Sequence, residues 1–141
     1  LTELENIVGI KEASGNLNQV SEILNLCGDR LTVLSGDDSL TLPMLSLGAR
    51  GVISVLANIV PRDLRDMIAS FDRGDLVEAR RLHNKLFPLC QAMFIETNPI
   101  PVKTAMELLG MCSGELRLPL SPMGEGTRKK LVEALRDYGL Q

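Results

Sequence analysis

The sequence predicts an α/β fold: a parallel sheet with crossover helices over residues 1–73, then an all-helical region over 74–141. Three observations carry that prediction. Short apolar runs rich in β-branched residues alternate with stretches of helical periodicity in the first part. The runs are nearly continuously apolar, as in strands buried on both faces of a parallel sheet. Beyond Gly74 only the helical period persists. Parallel neighbours need helical crossovers, and helices of the right length are present. A doubly wound sheet and a stretch of (β/α)8 barrel both satisfy this pattern.

The first unit has the run Ile7-Val8-Gly9-Ile10, the polar turn Lys11 to Asn16, and a helix marked by Leu17, Val20, Ile23, Leu24 and Cys27. Gly28 is its stop. The second has Leu31-Thr32-Val33-Leu34, the turn Ser35-Gly36-Asp37-Asp38, and a helix through Leu40, Met44, Leu45 and Leu47 closed by Gly48. The third has Gly51 to Ala57, then Asn58 and Pro61, then a helix with Leu64, Met67, Ile68 and Phe71. After the turn Arg73-Gly74-Asp75, the residues Leu76, Ala79, Leu82 and Leu86 mark a helix that Pro88 is expected to kink or break. A further helical stretch covers Leu89 to Ile95. Asn98-Pro99-Ile100-Pro101 reads as an extended connection, with Pro101 able to open the next helix. That helix carries Met106 and Leu109 and stops at Gly110. Arg117 to Pro122 is extended, and a last helix holds Leu131 and Leu135 before Gly139.

Three parallel strands have two open edges and do not close a barrel, whose packed interior takes eight. The chain opens on Leu1 rather than on a start methionine, and Leu1 to Asn6 does not read as a signal peptide. Either this is a small three-stranded α/β domain or further strands precede it, and the opening on Leu1 favours the second expectation.

Composition excludes several functions. The 141 residues are 45% hydrophobic and 23% charged, enough for a core. Aromatics are 3%, too few for base-stacking surfaces, and a net charge of -3 without a basic stripe argues against a nucleic-acid partner. No apolar run approaches the ~20 residues of a membrane helix. Cys27, Cys90 and Cys112 fit neither a disulfide framework nor a metal knuckle, and suit a reducing cytoplasm. All three are placed on helices, in no electropositive setting that would make a thiolate reactive. The single histidine, His83, excludes most His-based metal sites and reads as structural.

Lys11 follows an apolar strand, at the end where α/β barrels carry their active sites. A neutral amine there is a nucleophile toward ketones and forms Schiff bases. Desolvation at a barrel rim would favour that neutral form. From position alone, a lysine that snorkels to water at a strand end is the commoner arrangement. Ser35-Gly36-Asp37-Asp38 lies on the same rim. Gly36 permits close approach of backbone to a ligand. The aspartates can bind a cation, orient an amine or cap the next helix. Capping is the leading role for at least one, and the pair lacks the further ligands of a hard-metal site.

The string Val8-Gly9-Ile10-Lys11-Glu12-Ala13-Ser14-Gly15-Asn16-Leu17 resembles the Schiff-base lysine segment of the dihydrodipicolinate synthases, also called 4-hydroxy-tetrahydrodipicolinate synthases, of the class I pyruvate-dependent aldolase superfamily. Four further strings match in order: Leu34 to Asp38, Gly51 to Val55 with Ala57-Asn58, Asn98 to Lys103, and Leu116 to Leu120. The resemblance spans essentially the whole chain. N-acetylneuraminate lyases and keto-deoxy-sugar aldolases share the lysine, but the continuation Glu12 to Asn16 and the Asn98 to Lys103 string are similar to the synthase branch.

The resemblance implies that this is the C-terminal half of such an enzyme: the last three βα units of a (β/α)8 TIM barrel plus a C-terminal helical domain. It implies Lys11 as the catalytic Schiff-base residue toward pyruvate, with aspartate 4-semialdehyde as second substrate, in lysine and diaminopimelate biosynthesis. The backbone of Ile53 would help form the pyruvate pocket and Gly36 would line the substrate site. No metal or organic cofactor is implied, and the family assembly is a cytoplasmic homotetramer. The family's carboxylate-binding loop, proton-relay tyrosines and threonine, and semialdehyde-binding arginine precede the lysine and have no counterpart here. The expectation is a chain with little or no activity alone, needing an N-terminal half-barrel. The alternatives are a non-catalytic remnant that only docks on such a partner, or a related N-acetylneuraminate or keto-deoxy-sugar aldolase.

Overall fold

A computed structural model describes residues 2–141; Leu1, where the expectation of preceding strands begins, lies outside them. Nine regular elements follow one another: β1 (Gly9–Glu12), α1 (Leu17–Cys27), β2 (Thr32–Ser35), α2 (Thr41–Leu47), β3 (Gly51–Val52), α3 (Pro61–Asp72), α4 (Leu76–Ala92), α5 (Ile100–Leu108) and α6 (Glu125–Tyr138). Short 3-10 turns lie at Gly28–Arg30, Asp38–Leu40 and Leu56–Asn58. The three strands form one parallel sheet in the order β1-β2-β3. Lys11 pairs with Leu34, and Leu34 with Gly51.

The α/β alternation is as the sequence predicts, but the strands are displaced. β1 begins two residues later than the apolar run and includes Lys11 and Glu12. β3 is two residues long, although the apolar run continues to Ala57. The run is apolar because it is buried, not because it is paired. Leu56 is fully buried within a 3-10 turn, and the amides of Val55 and Leu56 are taken by the carboxylate of Asp38 rather than by a neighbouring strand.

Burial of the sheet is one-sided. Val33 packs with Val20, Met44 and Ala49, with Ile10 against the same cluster, so α1 and α2 cover that face. The other face presents Gly9, Lys11 and Thr32, all exposed. The two-sided burial expected of these strands is therefore not met within this chain. β-branched apolar runs signal a face that seeks cover, and these residues supply cover to only one.

The larger core draws on both sides of Gly74. Leu64 and Met67 of α3, Leu82, Leu86 and Leu89 of α4, Ile100 and Ala105 of α5, and Leu131 and Leu135 of α6 form one buried cluster. Pro88 lies inside α4 without breaking it, and the stretch expected as a second helix from Leu89 is the last part of α4. Proline removes an N–H and frees the carbonyl four residues back. Here Asn84 and Pro88 both sit on the exposed side, so the freed carbonyl is not sealed in the core, while Leu86, Leu89 and Cys90 hold the buried side. α5 starts at Ile100, one residue before Pro101, so the expected extended connection is shorter than the sequence suggested.

α6 is fastened to α3 and α4 by a polar clasp. The Tyr138 hydroxyl and the Lys85 ammonium (2.5 Å) both donate to the Asp63 carboxylate, and Lys85 Nζ lies 4.7 Å from the Tyr138 ring centre. The hydrogen bond from Lys85, then that from Tyr138, holds the Asp63 carboxyl below its ordinary value of 3.8. Burial, then the bond to Asp63, pushes the Tyr138 phenol up.

Two measurements check this packing. Leu131→Ala removes a fully buried side chain where α6 meets the common core; urea unfolding is expected to show a loss of about 2–5 kcal/mol. The lowered Asp63 pKa contributes stability that is present above the unfolded value and lost as pH falls through the folded one. Asp63→Asn is therefore expected to flatten the decline in melting temperature between roughly pH 5 and pH 3, and an unchanged acid limb would show that the clasp does not couple to folding.

Candidate active site

The parallel register carries the three sequence-predicted site residues to one end of the sheet. Lys11 is the penultimate residue of β1, rather than a residue after the strand. Gly36 follows β2 directly, and its N–H donates to the Glu12 carbonyl at 2.7 Å, extending the β1-β2 ladder past the strand ends. Ile53 follows β3, and its N–H donates to the Ser35 carbonyl at 2.8 Å. Lys11, Gly36 and Ile53 are thus tied to the carboxyl ends of three neighbouring strands.

Lys11 and Gly36 are in close approach. A Cβ at position 36 would lie 2.7 Å from Lys11 Cε, 3.0 Å from Lys11 Cγ and 2.8 Å from Ala13 Cβ. The aliphatic stem of Lys11 therefore runs over the Gly36 backbone, and only glycine leaves it room. This requirement is steric: the backbone at Gly36 is not in the left-handed region. Alternation along the strand turns Lys11 to the open face and Glu12 to the covered one. Lys11 is exposed, so the low-dielectric rim anticipated for it is not supplied by this chain alone. Ile53 is also open, at 49%.

Glu12, next to the lysine, is buried and serves the turn behind it. Its carboxylate accepts from the Ser14 N–H (2.9 Å) and from Gln19 Nε2 (3.2 Å). Asp37 is a cap, as the sequence suggested, accepting from the N–H and hydroxyl of Ser39 at 2.8 and 2.7 Å. Asp38 is not a local cap. It is buried, and its carboxylate accepts from the Ser54 hydroxyl, from Val55 N–H at 2.8 Å and from Leu56 N–H at 3.2 Å. Among the described residues no group of three or more His, Cys, Asp or Glu side chains is placed to hold a metal ion.

A cavity of about 500 Å³ opens beside this rim, between Ala13, Gly36, Asp37 and Ser39 on one side and Phe87, Cys90, Gln91 and Phe94 on the other. Sequence reasoning missed the second wall. Phe87 and Phe94 are large aromatics left 39% and 48% exposed on α4 and just after it, but no local pattern says that α4 faces the sheet edge. Burial, then the charges of Asp38 and Asp37, pushes the Cys90 thiol up to about 12, which disfavours its thiolate at neutral pH. His83 stands one turn from Phe87, their rings 6.1 Å apart, and burial lowers its pKa. Cys112, expected on a helix, lies instead in an exposed bend after α5.

Two outcomes follow from this geometry. Gly36→Ala is expected to displace the Lys11 stem and cost roughly 1–3 kcal/mol by urea unfolding, since Ala13 Cβ is not the tip of a flexible side chain. Iodoacetamide at pH 8 is expected to alkylate Cys112 and spare Cys90 in the folded chain, read by peptide mass; equal labelling would contradict the burial of Cys90.

Comparison with known proteins gives one consistent result. The model of the dihydrodipicolinate synthetase family matches residues 1–138. A 4-hydroxy-tetrahydrodipicolinate synthase from Geobacter sulfurreducens is 58% identical over 136 residues, covering 96% of this chain and 47% of its own. The dihydrodipicolinate synthase of Aquifex aeolicus superposes with a TM-score of 0.95 at 51% identity, over 99% of this chain and 47% of that one. The chloride-inhibited dihydrodipicolinate synthase of Acinetobacter baumannii, solved complexed with pyruvate, superposes with a TM-score of 0.95 at 39% identity, over 100% of this chain and 48% of that one. The chain spans about half the length of the relatives it matches. With its α/β architecture and this coverage, the chain belongs to the dihydrodipicolinate synthetase family.

Proposed function

We propose that this chain is the C-terminal half of a 4-hydroxy-tetrahydrodipicolinate synthase and supplies its nucleophile. In this reading residues 1–73 are the last three βα units of a TIM barrel and residues 74–141 a C-terminal helical domain. The observation that carries the reading is the stem of Lys11 lying over Gly36 on the open face of the sheet, at the strand ends where Ile53 also sits. An N-terminal half-barrel packed on that face would dry the amine and complete the pocket.

The chemistry runs as follows. The neutral Lys11 amine adds to the ketone carbon of pyruvate, and the ketone oxygen leaves as water, giving an imine. Loss of a proton from the methyl carbon gives an enamine. That carbon attacks the aldehyde of aspartate 4-semialdehyde, whose oxygen takes up a proton. The amino group of the semialdehyde then closes on the imine carbon and expels Lys11 as the free amine, releasing 4-hydroxy-tetrahydrodipicolinate. The imine is the electron sink, so no metal or organic cofactor is called for. Gly36 gives the lysine room, and the Ile53 backbone borders the keto acid. In this reading the full-length enzyme is a cytoplasmic homotetramer in the pathway to diaminopimelate and lysine.

The second reading, a remnant that docks on a partner without catalysing, is favoured by the exposure of Lys11. One experiment separates the two. The chain is combined with the N-terminal half of the Aquifex aeolicus relative, given pyruvate and borohydride, and mapped by peptide mass. The expected result is a reduced adduct on Lys11, absent from Lys11→Ala, and product formation from pyruvate and the semialdehyde only in the combined sample. Proton-transfer groups contribute ~10²–10⁴-fold, so the chain alone is expected to be lower by at least that margin. A folded complex without an adduct supports docking alone; full activity without the added half overturns the half-enzyme reading.

A further inference from the structure

Outside the lysine pair, the buried carboxylate of Asp38 organises the chain after β3. The segment from Ile53 to Val55 belongs to no regular element, and β3 ends one residue before it. Ile53 is 49% exposed, so packing does not fix it. What holds the segment is polar. The Ile53 N–H donates to the Ser35 carbonyl. Asp38 then takes three donors in a row, the Ser54 hydroxyl and the N–H groups of Val55 and Leu56. The Ser54 oxygen in turn accepts from the Ala57 N–H at 2.9 Å.

We infer that Asp38 is a positioning residue, a clamp that sets the backbone of Ile53 against the pocket of Lys11. The carboxylate is buried at 4% and is separated from its partners by 16 to 18 residues, so it ties the end of β2 to the loop after β3. Its neighbour Asp37 turns to Ser39, which divides the labour of the pair: one caps locally, the other holds the adjacent strand's exit. An acceptor in that place is required, and a charge is not: the amide oxygen of asparagine accepts both N–H groups, and its nitrogen donates to the Ser54 oxygen. The role at the pocket rests on the reading of Ile53 given above; the clamp does not.

The test therefore has two arms. Amide hydrogen exchange on this chain reads the clamp. Val55 and Leu56 are expected to be protected, to lose protection roughly tenfold or more in Asp38→Ala, and to keep most of it in Asp38→Asn, with Val33 and Met67 unchanged. Unchanged protection in Asp38→Ala, or none at Val55 and Leu56 in the wild type, overturns the clamp. Should Asp38→Ala unfold, shown by loss at Val33 and Met67 as well, Ser54→Ala decides. A loss confined to residues 55–57 supports the clamp and no change there overturns it. The second arm is borohydride trapping of pyruvate on Lys11 in the combined halves. Asp38→Ala is expected to raise the half-saturating pyruvate concentration about tenfold while the maximal labelling stays near wild type, with Asp38→Asn close to wild type. Equal half-saturation in all three overturns the role at the pocket. No adduct in the wild type removes the imine reading instead, and leaves the exchange arm to decide the clamp.

Discussion

The parallel register of β1, β2 and β3 is the constraint on which the site depends. Lys11 opposite Leu34, and Leu34 opposite Gly51, leave Gly36 and Ile53 as the first residues past their strands. A shift of one residue in β1 would turn Lys11 to the covered face and Glu12 to the open one. Glu12 opposes such a shift. It is buried and engaged with Ser14 and Gln19, and a buried carboxylate stripped of its partners is costly. The residue beside the lysine thus fixes which way the lysine points.

Among the described residues the sheet is covered on one face only. Its covered face is closed by α1 and α2 around Val33, while the face with Lys11 stays open. The helical core, by contrast, is filled with fully buried leucines and methionines from α3 to α6. A well-packed helical core thus stands beside a sheet with one open face. On the reading proposed here, covering that surface is the step that also desolvates the amine, so assembly and activation would be the same event.

Element type was legible in the sequence because periodicity reports burial, and burial follows periodicity in helices such as α3 and α6. Element ends were less legible where burial and pairing part company. The run from Gly51 to Ala57 reads as a strand, but only Gly51 and Val52 pair, Ile53 to Val55 belong to no regular element and Leu56 and Ala57 enter a 3-10 turn, because Asp38, far away in sequence, supplies the acceptors that a neighbouring strand would have supplied. Pro88 reads as a break and is not one, because the proline falls on the wet side of α4. For the site, the glycine beside the lysine was named from its type, but the reason, room for Lys11 Cε, needs the β1-β2 register.

The same limit explains the second wall of the cavity. Phe87, Cys90, Gln91 and Phe94 carry no motif, and a helical wheel sorts them only into wet and dry sides. Their place opposite Gly36 and Asp37 comes from the packing of α4 on the turn Asp38–Leu40 and on α2 and α3. That packing has a chemical consequence. The carboxylates of Asp37 and Asp38 lie near enough to the buried Cys90 thiol to add to the effect of burial in raising its pKa. The Cys90 thiol beside this rim is thereby held toward its protonated form, and on the reading proposed above Lys11 is the group that takes the keto acid.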